Sequence, residues 1–312
     1  MKLLLTGYPG FIAAEIKTWF EANGWEVDTL SLAPFPEHTP QTGIHIVCDL
    51  AKDIPTLPDT SYDLVIHAAG KAHIVPKTEE EIRSFFDVNG NGTEHLMMAL
   101  QSHPPKSIVF ISSVNVYGKD EGAMIKEDSP LDGKTPFAAS KIEAEKIIME
   151  SPFSQNVIRG IVRLPLVAGK NAPGNLGSMI HAIKRGLYFN VSGGHAVRSV
   201  VLNSDIPPFL HALSKRGGIY NLTDGRGISY RELSGKVQEY IKCPARPGLP
   251  YWIAWGIAAM CELGSRVLHR PMPLDFNKLG KLVSDLTFDN AKAAHDIPFT
   301  PQPVIDHIKN IL

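Results

Sequence analysis

The chain has 312 residues, and its 31 lysines and arginines against 32 aspartates and glutamates give a net charge of −1 at pH 7. This balance excludes a basic nucleic-acid surface and an acidic tail, so no nucleic-acid partner is expected. Cys48, Cys243 and Cys261 are too few and too scattered for a disulfide framework or a metal site. The N-terminus lacks the apolar segment of a secretion signal, and we expect a protein of the reducing cytoplasm.

The first half of the chain alternates short apolar runs with stretches of helical periodicity. The apolar runs predict strands, and apolar residues spaced three and four apart predict helices. Strands are predicted at 2–6, 25–32, 43–48, 64–67, 107–112 and 157–164, and helices at 13–23, 79–100 and 137–150. Strands that alternate with helices favour an α/β doubly wound fold of Rossmann type, in which helices cover both faces of a parallel sheet.

After Gly169 the pattern loosens, because proline and glycine become frequent and the predicted strands at 199–202 and 219–222 stand isolated. We expect a cofactor-binding domain over residues 1–168 and a mainly substrate-binding region over 169–312, with the chain returning to the core sheet around 196–206.

The apolar stretch 251–260 contains Trp252 and Trp255. It is too short for a bilayer, which needs about 20 apolar residues. A helix packed on the core or over a substrate cleft is preferred to a helix on a membrane surface.

A predicted strand, the pattern Gly7-x-x-Gly10-x-x-Ala13 and a predicted helix follow one another at the start of the chain. This order is typical of a dinucleotide-binding turn, in which the glycines allow a tight turn and close approach of the pyrophosphate. The helix start offers free amides and the positive end of the helix dipole. The residues expected to contact the cofactor here are Gly7, Tyr8, Pro9, Gly10, Phe11 and Ile12.

The end of the second strand selects between NAD and NADP, since an acid there binds the ribose 2′-hydroxyl. The candidates are Asp28, early in the strand, and Ser31, nearer its end. Ser31 would not repel a 2′-phosphate, but no arginine stands nearby to hold one. NAD is therefore favoured, and NADP stays open.

Residues 137–141 read Phe-Ala-Ala-Ser-Lys. Phe137 and Lys141 are four apart and share one face of the predicted helix. A tyrosine at this position would have its phenol pKa lowered by the lysine ammonium and could exchange a proton with a substrate. A phenylalanine has no proton to exchange. The sequence therefore predicts a catalytic frame that lacks its central proton-transfer group.

Several ordered motifs carry a resemblance that covers nearly the whole chain. They are residues 6–13, Asp49-Leu50, His67-Ala68-Ala69-Gly70, Asn89 with Gly92-Thr93, residues 113–118, Ser140-Lys141, residues 163–169, Asn175-Leu176, residues 198–205, Tyr220-Asn221-Leu222 and residues 286–290. In their order and spacing the chain resembles the extended short-chain dehydrogenase/reductase family, in its NAD-dependent epimerase, dehydratase and 4-keto reductase branch. In that family the position of Phe137 is a tyrosine.

The resemblance implies roles for individual residues. The cofactor would contact Asp49 and Leu50 at the adenine and Ala68, Ala69 and Gly70 along its length. Lys141 would bind the nicotinamide ribose, and Pro165 would lie near the carboxamide. Asn89 would support the cofactor site by hydrogen bonds to nearby backbone. The substrate would contact Ser113 at the sugar oxygen, Asn115 beside it, and Asn175 and Arg198 at the diphosphate. The catalytic group would be Ser113, Lys141 and position 137. The resemblance also implies a homodimer that pairs through the helices at 79–100 and 137–150.

The reaction that the resemblance implies is NAD(P)-dependent C4 epimerisation or 4-keto reduction of a nucleotide-linked hexose, with a UDP group expected. Dehydration is disfavoured, because Val114 and Asn115 replace the Asp-Glu pair that it needs. Phe137 leaves three interpretations open: an introduced replacement, a silent nucleotide- or NAD(P)-binding regulator, or an enzyme that uses Tyr117 or a water held by Ser113. A membrane-surface enzyme acting on lipid-diphosphate sugars is a further alternative.

Overall fold

The computed structural model describes residues 1–34, 40–153, 156–244, 246–268 and 275–312. Within these residues seven parallel strands form the main sheet in the order β3-β2-β1-β4-β5-β7-β11. Their bounds are β1 Lys2–Thr6, β2 Glu26–Ser31, β3 His45–Val47, β4 Leu64–His67, β5 Ser107–Ser113, β7 Ile158–Leu164 and β11 Gly218–Asn221. The strand order reverses between β1 and β4, so a crevice opens there at the carboxyl ends of the strands.

Helices cover both faces of this sheet and bury its apolar side chains. One face carries α1 (Phe11–Ala22) and α6 (Ile206–Leu213), and the other carries α2 (Glu79–Phe86), α3 (Gly92–Ala99) and α4 (Pro136–Met149). Leu3 and Leu5 of β1 lie in one apolar cluster with Phe209 of α6. Leu4, between them, lies in the opposite cluster with Phe110 and Ile148. This alternation follows from the two-residue period of a strand.

The six strands and three helical stretches predicted for the first half are all present, with small shifts at their ends. Two expectations are corrected. The helical stretch over 79–100 is interrupted by a π-helical turn at Asp87–Asn91. The chain returns to the main sheet through β11, which pairs with β7, whereas Val200–Leu202 pairs with a short strand outside that sheet. An apolar run indicates a strand, but its partner is set by tertiary packing.

Most of the chain after β7, joined by one earlier strand, builds a second region against the sheet. The strands β8 (Leu166–Ala168) and β10 (Val200–Leu202) pair in parallel, and four others form a small sheet in the order β12-β9-β13-β6. The bounds of the remaining elements are β6 Gly122–Ile125, β9 Val197–Arg198, β12 Ile228–Ser229, β13 Leu286–Phe288, α5 Gly174–Lys184, α7 Tyr230–Ile241, α8 Tyr251–Leu268, α9 Phe276–Val283, α10 Ala291–Asp296 and α11 Ile308–Ile311. No helix in the described part of the chain is long and apolar enough to cross a membrane.

Candidate active site

The glycine turn joins β1 to α1 at the edge of the crevice. Gly7 has a φ of +87°, and a Cβ on it would lie 2.7 Å from the backbone nitrogen of Ala69. A Cβ on Gly10 would lie 2.8 Å from the carbonyl oxygen of Gly7. Only glycine fits both positions, because real Cβ atoms do not approach so closely. No side chain among the described residues caps α1, so its first amides are available to an anion.

A chain of hydrogen bonds ties the end of β1 to the end of β4 and to the π-helical turn. The Thr93 hydroxyl donates to the carbonyl oxygen of Asn89, and it therefore accepts from Nε2 of His67. Nδ1 of His67 then accepts from the Thr6 hydroxyl, at 2.7 Å. Burial, and secondarily the charge of Lys141, lower the pKa of His67 to about 3. His67 is thus a neutral structural residue rather than a catalytic one.

Asn89 holds the loop that follows β4 against α4. Its Oδ1 accepts from the backbone N–H of Lys71 at 2.7 Å, and its Nδ2 donates to the carbonyl oxygen of Lys71 and to Oγ of Ser140. Ser140 in turn donates to the carbonyl oxygen of Phe137. The π-helical turn places the Asn89 side chain between loop and helix, and this clamp fixes the first turn of α4 relative to the ends of the strands.

Lys141 is a buried lysine of α4, whereas Lys146 on the same helix is exposed. Nζ of Lys141 donates to the carbonyl oxygen of Ile111 at 3.0 Å, and a Cβ on Gly70 would lie 3.1 Å from the same Nζ. Burial lowers the pKa of Lys141 to about 8, although the nearby Glu145 raises it. The ammonium therefore lies near the carboxyl end of β5, close to the glycine that follows β4.

Phe137 and Ser113 stand at the same end of the sheet. Thr135 caps α4, so Phe137 lies in its first turn, one turn before Lys141, and its ring is half-buried. Ser113 is the last residue of β5, and its Oγ accepts from the backbone N–H of Asn115. Pro165 follows directly after β7, the neighbouring strand, and is also half-buried. The end of β5 and the first two turns of α4 thus lie at the same edge of the sheet, with Ser113 on the strand and positions 137 and 141 on the helix.

The sequence analysis missed a buried polar network behind these residues. Arg163 donates to both carboxylate oxygens of Glu145, from Nε at 3.0 Å and from Nη2 at 2.7 Å. The same carboxylate accepts from the Ser112 hydroxyl. Nη1 of Arg163 donates to the Tyr117 hydroxyl, which donates to Asn221 at 2.7 Å. The spacing of Glu145, four residues after Lys141 on one helix face, is the signal that could have located it.

Tyr117 is consequently not free to replace a catalytic tyrosine at position 137. Its side chain is fully buried, and its hydroxyl is engaged as acceptor from Arg163 and donor to Asn221. Burial raises the pKa of Tyr117 above its ordinary value. The interpretation in which Tyr117 supplies the proton is therefore wrong.

The two candidates at β2 have different surroundings. Asp28 is fully buried, accepts from the Tyr62 hydroxyl and the backbone N–H of Ile44, and pairs with Lys2 at 3.2 Å. It lies opposite the middle of β1, away from the crevice end of the strands. Ser31 ends the strand, and its hydroxyl donates to a nearby carbonyl oxygen. Asp28 is thus a structural residue, and Ser31 is the one at the crevice end of β2.

Asp49 and Leu50 follow β3, at the same end of the sheet. One oxygen of Asp49 accepts from the backbone N–H of Ala51, and the other pairs with the exposed Lys52 at 3.2 Å. Leu50 is buried, and its carbonyl oxygen lies 2.7 Å from Nδ1 of His95 on α3. These contacts fix the loop after β3 beside the crevice.

Asn175 and Arg198, the two residues expected at a diphosphate, lie in the second region. Asn175 is exposed in the first turn of α5, next to Gly174, whose added Cβ would lie 3.0 Å from the ring of His73. Nη2 of Arg198 donates to the carbonyl oxygen of Lys281, while its buried Nε has no hydrogen-bond partner among the described residues. An unpaired buried donor of this kind is available to a ligand oxygen.

The crevice fits a dinucleotide by its own geometry. The glycine turn leaves no room for a side chain, the start of α1 offers uncapped amides, and the strand order reverses at this place. These features define a nucleotide-cofactor-binding protein of the doubly wound α/β class. The model of the NAD dependent epimerase/dehydratase family matches residues 3–222, and the chain belongs to this family.

Curated relatives of the chain include sugar epimerases. The chain is 24% identical over 218 residues to the N-acetyl-alpha-D-glucosaminyl-diphospho-ditrans,octacis-undecaprenol 4-epimerase of Escherichia coli O157:H7, a match that covers 67% of the chain and 65% of that relative. It is 26% identical over 299 residues to the UDP-glucose 4-epimerase of Pisum sativum, covering 79% of the chain and 85% of the relative.

Solved structures share the whole fold at low identity. MoeE5 in complex with UDP-glucose and NAD superposes with a TM-score of 0.75 at 20% identity, covering 100% of this chain and 97% of the other. The UDP-glucose 4-epimerase of Thermotoga maritima with UDP-glucose gives a TM-score of 0.77 at 16% identity, covering 100% and 97%. These similarities show that the fold extends through the second region as well as the main sheet.

Proposed function

We propose that this protein binds NAD in the crevice and a UDP-linked hexose beside it, in a site built for epimerisation at C4 of the sugar. The observation that carries the proposal is the buried Lys141 ammonium, which lies near the end of β5 and one helical turn after position 137. The family of the chain and the names of its relatives support the same reaction class.

The cofactor would be held mainly by backbone. The uncapped start of α1 would receive the pyrophosphate, while Gly7 and Gly10 allow its close approach. The loops after β3 and β4, with Asp49-Leu50 and Ala68-Ala69-Gly70, would line the adenosine and the rest of the cofactor. Bound NAD supplies a reversible hydride acceptor. Ser31 at the end of β2, with no arginine within residues 28–34, supports NAD over NADP.

The side chains around the sugar would bind the cofactor ribose, hold the C4 oxygen and transfer the proton. Lys141 would bind the ribose hydroxyls of the cofactor, and Ser113 would hold the C4 oxygen by a hydrogen bond. Phe137 stands where a tyrosine would carry the proton to and from that oxygen, and its ring has no exchangeable proton. The chain would therefore bind its ligands and transfer the proton poorly.

The second region would supply the substrate subsite, in a division at residues 1–168 and 169–312. Arg198 supports this assignment, because a diphosphate oxygen would satisfy its unpaired Nε with a charge-assisted hydrogen bond. Asn175, at the exposed start of α5, and Asn115, exposed after β5, would complete the polar contacts. The assignment of UDP as the nucleotide is supported by the relatives, whose names include UDP-sugar epimerases.

Phe137 itself favours a second candidate function, a catalytically silent NAD- and nucleotide-binding protein. The two candidates differ in what a restored tyrosine does. We expect Phe137→Tyr to raise the turnover of a UDP-hexose or a UDP-2-acetamido-hexose by about 10²–10⁴-fold, the contribution of a general acid/base. Both proteins would be assayed with NAD, and with NADPH for 4-keto reduction, while NMR follows the products.

The control is Phe137→Leu, which changes the ring without adding a proton and should leave turnover at the level of the unaltered chain. Equal turnover by the unaltered chain and by the Phe137→Tyr variant would refute the assigned proton-transfer position. Silence in both, with NAD still bound in calorimetry, would favour the silent binding protein.

We also propose a homodimer that pairs through the outer faces of α2, α3 and α4. Met98 on α3 and Met149, the last residue of α4, are each 41% exposed and would be covered. Ile148 is buried within its own protomer, so the interface would rest on the outer residues alone. Light scattering should give twice the 34.2 kDa of one chain at micromolar concentration. A mass of one chain would contradict the dimer.

A further inference from the structure

The helix α8 is apolar on every side over its first three turns. Residues 251–261 contain no aspartate, glutamate, lysine, arginine or histidine. On one side, Ala254 and Ala258 pack against Leu279 of α9 together with Val191 and Leu249. A single buried face would satisfy a surface helix, so the apolar residues on the other side need a separate explanation.

The outer side of α8 is exposed to solvent. Trp252 is 74% exposed, Trp255 51%, Met260 68% and Leu263 65%. Trp252 and Leu263 are eleven residues apart, three helical turns, and so lie on the same stripe opposite the packed alanines. A contiguous exposed patch of large apolar side chains marks an interaction surface.

A loop beside α8 adds further apolar side chains and positive charge. This loop, residues 185–189, carries the exposed Leu187 and Phe189. It is tied to the start of α8, because the backbone N–H of Leu249 donates to the carbonyl oxygen of Asn190. Arg246 lies over the Phe189 ring at 5.5 Å. The loop thus lies next to the start of α8, and we call the loop and the outer side of α8 the α8 face.

The segments that lead into the α8 face carry mainly positive charge, and Glu262, directly before Leu263 on α8, is the acid that follows them. Between residues 170 and 204, and again between residues 240 and 261, the sequence contains no aspartate or glutamate. The basic residues of these two segments are Lys170, Lys184, Arg185, Arg198, Lys242 and Arg246. Both segments contrast with the near-neutral balance of the whole chain. Two copies of the chain facing each other here would bring like charges together, which disfavours self-association.

We propose that the α8 face seats the protein on the surface of an anionic lipid bilayer. Tryptophans are suited to the boundary between headgroups and acyl chains, and apolar neighbours such as Met260 and Leu263 would enter the acyl region. Lysines and arginines beside the apolar stripe attract anionic headgroups. The apolar segment is too short to span, so the helix lies in the plane of the interface.

The α8 face is linked to the residue expected at the diphosphate. Arg198 donates to the carbonyl oxygen of Lys281 on α9, and α9 packs on α8, with the rings of Trp255 and Phe276 5.5 Å apart. Arg198 is thus connected to the α8 face through one intervening helix, α9. The proposed binding to the bilayer depends on the exposed apolar and basic residues, and it does not depend on whether Phe137 permits turnover.

The test is sedimentation of the full chain with vesicles of phosphatidylglycerol and phosphatidylcholine in equal parts, compared with vesicles of phosphatidylcholine alone. We expect binding to the anionic vesicles that weakens with added salt. The double variant Trp252→Ser/Trp255→Ser should lower the partition coefficient about tenfold or more, because it removes the two interfacial rings. Arg185→Glu/Arg246→Glu should lower it by about tenfold as well.

Ile54→Ser is the matched control, because Ile54 is 53% exposed, close to the value for Trp255, and lies in the loop after β3. It should bind vesicles as the unaltered chain does. Thermal unfolding of each variant checks that the fold is intact. Protein that stays in the supernatant, or equal binding by the tryptophan variant and the control, would overturn the proposal. A dimer that is lost only in the tryptophan variant would also overturn it and assign the face to a second copy.

Discussion

Two arginines, one in the main sheet and one in the second region, differ in how many of their buried nitrogens are paired. Arg163, on β7, donates from all three of its nitrogens to Glu145, Tyr117 and a backbone carbonyl. Arg198, on β9, uses Nη2 on a carbonyl oxygen and leaves its buried Nε without a partner in the described part of the chain. An unpaired buried donor costs roughly 1–3 kcal/mol.

The difference separates a framework from a binding surface. The network around Arg163 holds β5, α4, β7 and β11 together, and its polar groups are engaged with one another. The second region retains the unsatisfied donor of Arg198 and, on α8, an exposed apolar side. A folded chain accepts such costs where a ligand or a surface removes them, so the second region is where specificity is expected to lie.

The largest expected effect tests the framework. Glu145→Gln leaves the Arg163 charge buried without its carboxylate, and breaking a buried pair in this way costs about 3–5 kcal/mol. Urea unfolding should show this loss in the free energy of unfolding. Glu232→Gln is the control, since it removes the exposed pair with Arg226, for which about 0–1 kcal/mol is expected. Similar small losses in both variants would show that the network does not stabilise the fold.

A smaller effect is expected at the binding surface. Arg198→Met should change the free energy of unfolding by no more than about 1 kcal/mol, because its unpaired Nε disappears along with one hydrogen bond. The affinity for UDP, measured by calorimetry, should fall about 10- to 100-fold, as for a lost hydrogen bond to a charged group. Unchanged UDP affinity with a large loss of stability would move Arg198 into the framework and remove the distinction between the two regions.

The last effect is absent at pH 7, grows as the pH falls, and concerns the hydrogen-bond chain at β1 and β4. The pKa of His67 is about 3 in the folded protein, below its ordinary 6.5, so the unfolded chain binds this proton more readily. The stability due to a neutral His67 is present above pH 6.5 and is lost as the pH falls towards 3. The slope is about 1.4 kcal/mol per pH unit. Urea unfolding between pH 7 and pH 5 should show that His67→Gln has a flatter profile; parallel profiles would contradict a buried neutral histidine.

Local patterns were sufficient for most of the main sheet. The strands from β1 to β5 and the helices α1 and α4 follow from apolar periodicity and from the glycine turn, both of which act over a few residues. The position of Ser113 at the carboxyl edge of the sheet also follows, since parallel strands end together, whereas the placement of Phe137 and Lys141 beside it came from the family resemblance. The expectation of a tyrosine at position 137 came from the family resemblance, and it stays a prediction.

Long-range contacts decided the rest. The pairing of β11 with β7 joins residues about 60 apart in the chain, and no local pattern records it. The role of Asp28 likewise depended on Tyr62, and that of Tyr117 on Asn221, more than 100 residues later. Both side chains were reasonable functional candidates until their hydrogen bonds were known.

The sequence by itself determined the doubly wound sheet, the glycine turn for a nucleotide cofactor and the lysine one helical turn after a phenylalanine. These are encoded in residues close together in the chain, where sterics and periodicity leave few alternatives. Only the tertiary structure decided which polar groups are satisfied and which side of α8 is exposed. Burial and hydrogen bonding are properties of neighbours brought together by packing, and a helix that is apolar on every side gives no sign of which face will be covered.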